Sequence, residues 1–98
     1  MTKLQVESDA KENALDIVKA AVAAEIERLE IGLRKTNRQI EKFEKRYGIT
    51  SDSFLKELTA EDMKKGDEEY VRWTGELQIK ARIETDLKHL KDIEFVAA

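Results

Sequence analysis

Apolar residues recur along the first half of the chain with the spacing of one side of a helix. From residue 22 onward, the intervals between them alternate strictly between four and three residues. This heptad spacing is typical of a helix that packs lengthwise against another helix. The sequence therefore predicts a long first helix over about residues 9–47, with one continuous stripe facing a neighbour. We call this set the heptad stripe: Leu15, Val18, Val22, Ile26, Leu29, Leu33, Thr36, Ile40, Phe43 and Tyr47.

Glycine and threonine residues indicate where the helices end and begin. Gly32 lies inside the long helix, and we expect it on the side opposite the heptad stripe. Gly48 can take the left-handed conformation that closes a helix, and Thr50 can cap the helix that follows. The sequence therefore predicts a short connector helix over residues 51–58 and a returning helix over residues 67–94.

The returning helix changes its apolar face halfway along. One face belongs to its first half: Tyr70, Trp73, Thr74, Leu77 and Ala81. The other face belongs to its second half: Ile79, Ile83, Leu87, Leu90 and Ile93. Beside the heptad stripe, the long helix carries a second stripe at seven-residue spacing: Ile17, Ala24 and Ile31. A helix that changes its apolar face halfway along either bends or meets a different partner in each half. The N-terminal half of the long helix, apolar on two sides, needs more than one neighbour.

The two helices also differ in predicted length. The long helix would measure about 57 Å and the returning helix about 42 Å at 1.5 Å per residue. We therefore expect another copy or another protein to bury the uncovered end of the long helix. The residues expected at that partner or oligomer interface are Ile17, Val18, Ala24, Ile31, Ile79, Ile83, Leu90 and Ile93.

The composition agrees with a helical fold and limits the function classes. Charged residues make up 40% of the chain, and it has neither proline nor cysteine, which excludes disulfides and thiolate metal sites. The first eight residues show no periodicity and no signal-peptide core, and we expect them to be frayed. No apolar run approaches the ~20 residues of a membrane span. We predict a single cytoplasmic all-α domain over residues 1–98: an antiparallel helical hairpin, coiled-coil-like and oligomeric, of a long, a connector and a returning helix.

The charges are distributed unevenly along the chain, whose net charge is −3. Residues 27–50 hold seven basic side chains against four acidic ones, and residues 51–70 hold seven acidic against three basic. These segments are either two solvated faces or a matched pair that docks within or between copies. No DNA-binding module accompanies the basic strip, so nucleic acid is not an expected partner. The strip consists of Arg34, Lys35, Arg38, Lys42, Lys45 and Arg46.

Candidate chemistry is sparse. His89 is the single histidine, and Asp86 precedes it at the spacing of half a di-iron bundle site. That site needs a second such motif and two further carboxylates. No glycine-rich phosphate loop or nucleophile motif is present. We therefore predict a non-enzymatic protein without metal or cofactor.

Two stretches resemble a known group of proteins. Residues 41–54 read EKFEKRYGITSDSF, and residues 67–73 read DEEYVRW. Together they resemble the small all-helical antitoxin-like proteins of prokaryotic toxin–antitoxin pairs, over about residues 10–92. The resemblance implies an all-helical protein that binds and neutralises a toxin protein by contact. The alternative is a self-associating coiled-coil scaffold or chaperone-like protein whose partner is another copy of itself.

Overall fold

The computed structural model describes residues 1–7, 14–57 and 68–97. Most of these residues are helical, as the sequence predicts, and the long first helix packs on the returning one. A pair of short strands, which the all-α prediction does not contain, is also present. In chain order the elements are β1 (Thr2–Val6), α1 (Ala14–Tyr47), α2 (Ser51–Glu57), α3 (Glu68–Lys91) and β2 (Ile93–Ala97).

The chain groups into two compact units. Unit 1 comprises Met1–Gly32 and Ile83–Ala98, and unit 2 comprises Leu33–Arg82. Helices α1 and α3 each contribute residues to both units. Each unit therefore contains a stretch of both helices.

The junction between α1 and α2 follows the sequence prediction. Gly48 has a φ of +66°, and its N–H donates to the Glu44 carbonyl oxygen at 2.9 Å. The Thr50 hydroxyl accepts from the Ser53 N–H at 3.1 Å, which satisfies a free amide in the first turn of α2. Both helix-end signals are confirmed. Of the predicted helices, residues 9–13, 58 and 67 lie outside the described residues.

The end of the returning helix differs from the prediction of a helix to residue 94. Helix α3 ends at Lys91, and residues 93–97 form β2, so Ile93 lies in a strand. Apolar Ile93 and Phe95 alternate with polar Glu94, and β-branched and aromatic residues favour strands.

The first residues of the chain form strand β1 (Thr2–Val6), so the expectation of a frayed N-terminal segment is wrong for these residues. Strand β1 pairs with β2 in parallel, in a register that places Thr2 opposite Ile93 and Leu4 opposite Phe95. Asp92 anchors the start of this pairing because its side chain accepts from the Thr2 N–H at 3.1 Å. The missed signal is the alternation of Leu4 and Val6 with polar neighbours.

Unit 1 contains a small aliphatic core. Leu29 and Leu87 are its buried hydrophobic side chains among the described residues. A Cβ placed on Gly32 would lie 3.5 Å from the Ile83 Cδ1 atom, so Gly32 faces α3 and not the side opposite the heptad stripe. Position 32 is three residues after Leu29 and four before Thr36, both in the heptad stripe, so it borders that stripe on the helix surface, which explains this correction.

Polar contacts in unit 1 join α3 and β2 to α1. The Lys91 ammonium pairs with the Glu30 carboxylate at 2.9 Å. The Lys19 ammonium lies 5.9 Å from the centre of the Phe95 ring, which is within cation–π range. Strand β2 is therefore a neighbour of the N-terminal half of α1, which the sequence analysis leaves uncovered.

Unit 2 is built around Trp73, whose side chain is fully buried. The Phe54 ring stacks on Trp73 with a centroid distance of 3.9 Å, and Phe43 and Tyr47 stack at 5.7 and 5.8 Å. The indole N–H donates to the buried Ser51 hydroxyl at 2.9 Å. Aromatic side chains from all three helices thus meet at one tryptophan.

Candidate protein-binding surfaces

An apolar stripe on α1 is exposed to solvent in unit 1. Ile17 is 65% exposed and Ile31 is 53% exposed, and Ala24 between them is also exposed. Seven-residue spacing turns each side chain by only about 20° from the previous one, so the three lie on one side of α1. They span about 21 Å along the helix axis. We call Ile17, Ala24 and Ile31 the outer stripe.

The heptad stripe of α1 has the opposite environment. None of its ten side chains is exposed: Leu29, Thr36 and Ile40 are buried, and the other seven are half-buried. One side of α1 therefore meets internal neighbours while the outer stripe does not. The outer stripe is available for a partner without opening the core.

The remaining predicted interface residues fall into a half-buried group and one exposed residue. Val18, Ile83 and Leu90 are half-buried in unit 1, and Ile83 contacts the Gly32 position. Ile93 is half-buried in β2. Ile79 belongs to unit 2 and is 48% exposed. In unit 1, the outer stripe is therefore exposed to solvent. The half-buried residues pack at least partly against other residues of unit 1.

Unit 2 carries a basic cleft of about 600 Å³ on one flank of α1. Lys42, Lys45 and Arg46 come from α1, and Arg72 comes from α3. Glu69 is the remaining charged residue that lines this cleft. The three α1 side chains belong to the basic strip predicted from the sequence. Arg72 does not, because the strip follows one helix and Arg72 lies on another.

Two contacts of Glu69 organise this cleft. Its carboxylate forms an ion pair with Arg46 and accepts a hydrogen bond from the Tyr47 hydroxyl. These contacts tie the first turn of α3 to the last turn of α1. The cleft is therefore attached to the aromatic core of unit 2 through Tyr47.

A second cleft, of about 570 Å³, lies on the other flank of α1 in unit 2. Glu41, Glu44 and Asp52 line it, with Lys80 as the basic member. The Glu44 carboxylate accepts from the Ser51 N–H at 2.8 Å and so satisfies an amide at the start of α2. This cleft is acidic, and one of its carboxylates has a structural role.

Neither a metal site nor a membrane span emerges from the described residues. Asp86 is half-buried and His89 is exposed, and no group of three or more histidine or acidic side chains in residues 1–7, 14–57 and 68–97 could hold a metal ion. In the same residues, no helix combines the length and apolar character needed to cross a bilayer.

Comparisons with known proteins add no relative. No family model matches the chain, and neither the curated proteins nor the solved structures contain a significant match. The resemblance to antitoxin-like proteins therefore stays a prediction from residues 41–54 and 67–73.

Proposed function

We propose that this chain is a non-enzymatic protein-binding module whose contact surface is the outer stripe of α1. The observation that carries this proposal is the exposure of Ile17 and Ile31 on one side of a helix whose heptad stripe is already covered. Fully burying one large aliphatic side chain stabilises a complex by about 1.5–3 kcal/mol. Two isoleucines with a small alanine between them suit close contact with a partner helix.

In its finer form, the proposal is that of an antitoxin-like protein: an antiparallel helical hairpin that forms homo-oligomers and neutralises a toxin by contact. Support comes from the roles of the residues that carry the resemblance. Gly48 ends α1, Thr50 caps α2, and Phe54 stacks on Trp73. These residues specify a helical fold that presents a surface and needs no catalytic group.

The second candidate is a self-associating scaffold. Heptad spacing in the outer stripe favours it, because two copies of such a stripe can pack against each other as in a coiled coil. Both candidates form homo-oligomers. They differ in the further partner: the first also binds another protein, whereas the second binds only copies of itself.

A growth assay with a matched control tests the antitoxin-like function. This chain is co-expressed with the product of the adjacent open reading frame, either unsubstituted or as Ile17→Glu with Ile31→Glu. The control, Leu55→Glu with Val71→Glu, places the same charges on apolar side chains of unit 2 that are each 46% exposed.

We expect the neighbour alone to arrest growth, and the unsubstituted and control proteins to restore it. The outer-stripe variant should fail to restore growth while keeping its helical circular dichroism. A harmless neighbour would contradict the antitoxin-like function in favour of the scaffold. Rescue by the outer-stripe variant would contradict the assignment of the binding surface.

A further inference from the structure

The basic cleft of unit 2 contains cations that form no ion pair within residues 1–7, 14–57 and 68–97. Arg46 is paired with Glu69, but Lys42, Lys45 and Arg72 form no ion pair with any residue in the described part of the chain. All three are exposed. Three positive charges from two helices therefore converge on one concave site in a protein of net charge −3.

The arrangement of these cations is unfavourable for the helix that carries them. Lys42 follows Arg38 by four residues and precedes Lys45 by three and Arg46 by four. Like charges at these spacings face each other on a helix and destabilise it. Only the last turn gains from positive charge, through the helix dipole. The stability of α1 does not explain why Arg38 and Lys42 continue the strip.

The dimensions of the cleft limit what can occupy it. Its α1 wall runs from Gln39 to Arg46, which corresponds to about 10 Å along the helix. An extended peptide advances about 3.3 Å per residue, so about three residues fit along this wall. A guanidinium group such as that of Arg72 can bind a carboxylate through two parallel hydrogen bonds.

We propose that the basic cleft binds a short acidic segment of a partner protein, with its carboxylates on Lys42, Lys45 and Arg72. This deepens the proposed protein-binding function and rests on it, by naming the chemistry of a second contact. A nucleic acid is less suited, because Glu69 forms part of the wall and an acidic chain repels a long polyanion. About three residues of a peptide lie along the cleft wall, so two or three of its carboxylates can pair with the basic side chains.

Fluorescence anisotropy with defined probes tests this inference. The probes are fluorescein-labelled hexaglutamate, hexaglutamine as the neutral peptide, and the hexanucleotide dT6 as the alternative polyanion. We compare the unsubstituted chain, Lys42→Gln with Lys45→Gln, Lys42→Arg with Lys45→Arg, and the control Lys80→Gln with Arg82→Gln. The control also removes two positive charges, but from positions of α3 that do not line the basic cleft.

The unsubstituted chain should bind hexaglutamate, and should bind dT6 more weakly and hexaglutamine not at all. The Lys42→Gln, Lys45→Gln variant should bind hexaglutamate about tenfold more weakly, while the arginine variant and the control keep their affinity. Equal losses in the glutamine variant and the control would show general charge attraction and overturn the inference. Tighter binding of dT6, or competition by equimolar inorganic phosphate, would overturn it in favour of a nucleic acid or a free anion.

These probes do not involve the outer stripe. A negative result here combined with growth rescue that depends on Ile17 and Ile31 would refute the acidic-segment inference alone. Binding of hexaglutamate at the basic cleft, combined with growth rescue that does not depend on Ile17 and Ile31, would support the acidic-segment inference and refute the outer stripe as the binding surface.

Discussion

Unit 2 and unit 1 bury their helices with different kinds of side chain. In unit 2, three aromatic rings stack on a fully buried Trp73, Gly48 follows the end of α1, and Thr50 caps the start of α2. In unit 1, the buried hydrophobic side chains among the described residues are Leu29 and Leu87. The comparison indicates that unit 2 buries the larger side chains in its core, whereas unit 1 leaves Ile17 and Ile31 of α1 more than half exposed.

The largest expected effect comes from the centre of unit 2. Trp73→Ala should lower the free energy of unfolding by about 3–5 kcal/mol, because it removes the side chain on which three rings stack. Leu87→Ala in unit 1 should cost about 2 kcal/mol, the low end for a buried leucine. Urea unfolding followed by circular dichroism measures both. A larger loss for Leu87→Ala would reverse the comparison between the units.

A smaller effect is expected from the hydrogen bond beneath the aromatic cluster. Ser51→Ala leaves the buried Trp73 indole N–H without its acceptor, which should cost about 1–3 kcal/mol. Ser53→Ala in the same helix is the control and should cost about 0.5 kcal/mol or less, since Ser53 is not buried. Equal losses in thermal melts would show that the indole hydrogen bond does not hold α2 in place.

Two glycines of unit 2 should respond to alanine with opposite signs. Gly48→Ala places a Cβ at a φ of +66° and should destabilise the chain by about 1 kcal/mol. Gly75→Ala lies inside α3 with no atom within 4 Å of the new Cβ, and should stabilise it by about 0.5–1 kcal/mol. Melting temperatures that shift in the same direction would contradict the assignment of Gly48 as the end of α1.

The sequence predicts unit 2 better than it predicts unit 1. Unit 2 is encoded locally: the glycine after the heptad stripe and the threonine two residues later each specify a helix end through their own backbone preference. The exposed outer stripe is likewise visible as apolar residues at seven-residue spacing. These features need no knowledge of distant parts of the chain.

The strand pair of unit 1 depends on residues at the two ends of the chain. Leu4 and Phe95 are 91 positions apart but lie opposite each other in the sheet. Each strand has only five residues, too few for alternation to stand out against a helical pattern. Arg72 could not be predicted as part of the basic cleft for a related reason. It lies on α3, whereas the basic strip lies on α1.

Sedimentation equilibrium most directly tests the central claim, that copies of this chain associate through the outer stripe of unit 1. With no other partner present, the unsubstituted chain at micromolar concentration should have a mass of at least twice the monomer mass of 11.3 kDa. Ile17→Glu with Ile31→Glu should reduce it to 11.3 kDa with Trp73 still buried, while Leu55→Glu with Val71→Glu should leave it unchanged. A fully helical unsubstituted chain that sediments at 11.3 kDa would show that the outer stripe does not drive self-association, and would contradict the account.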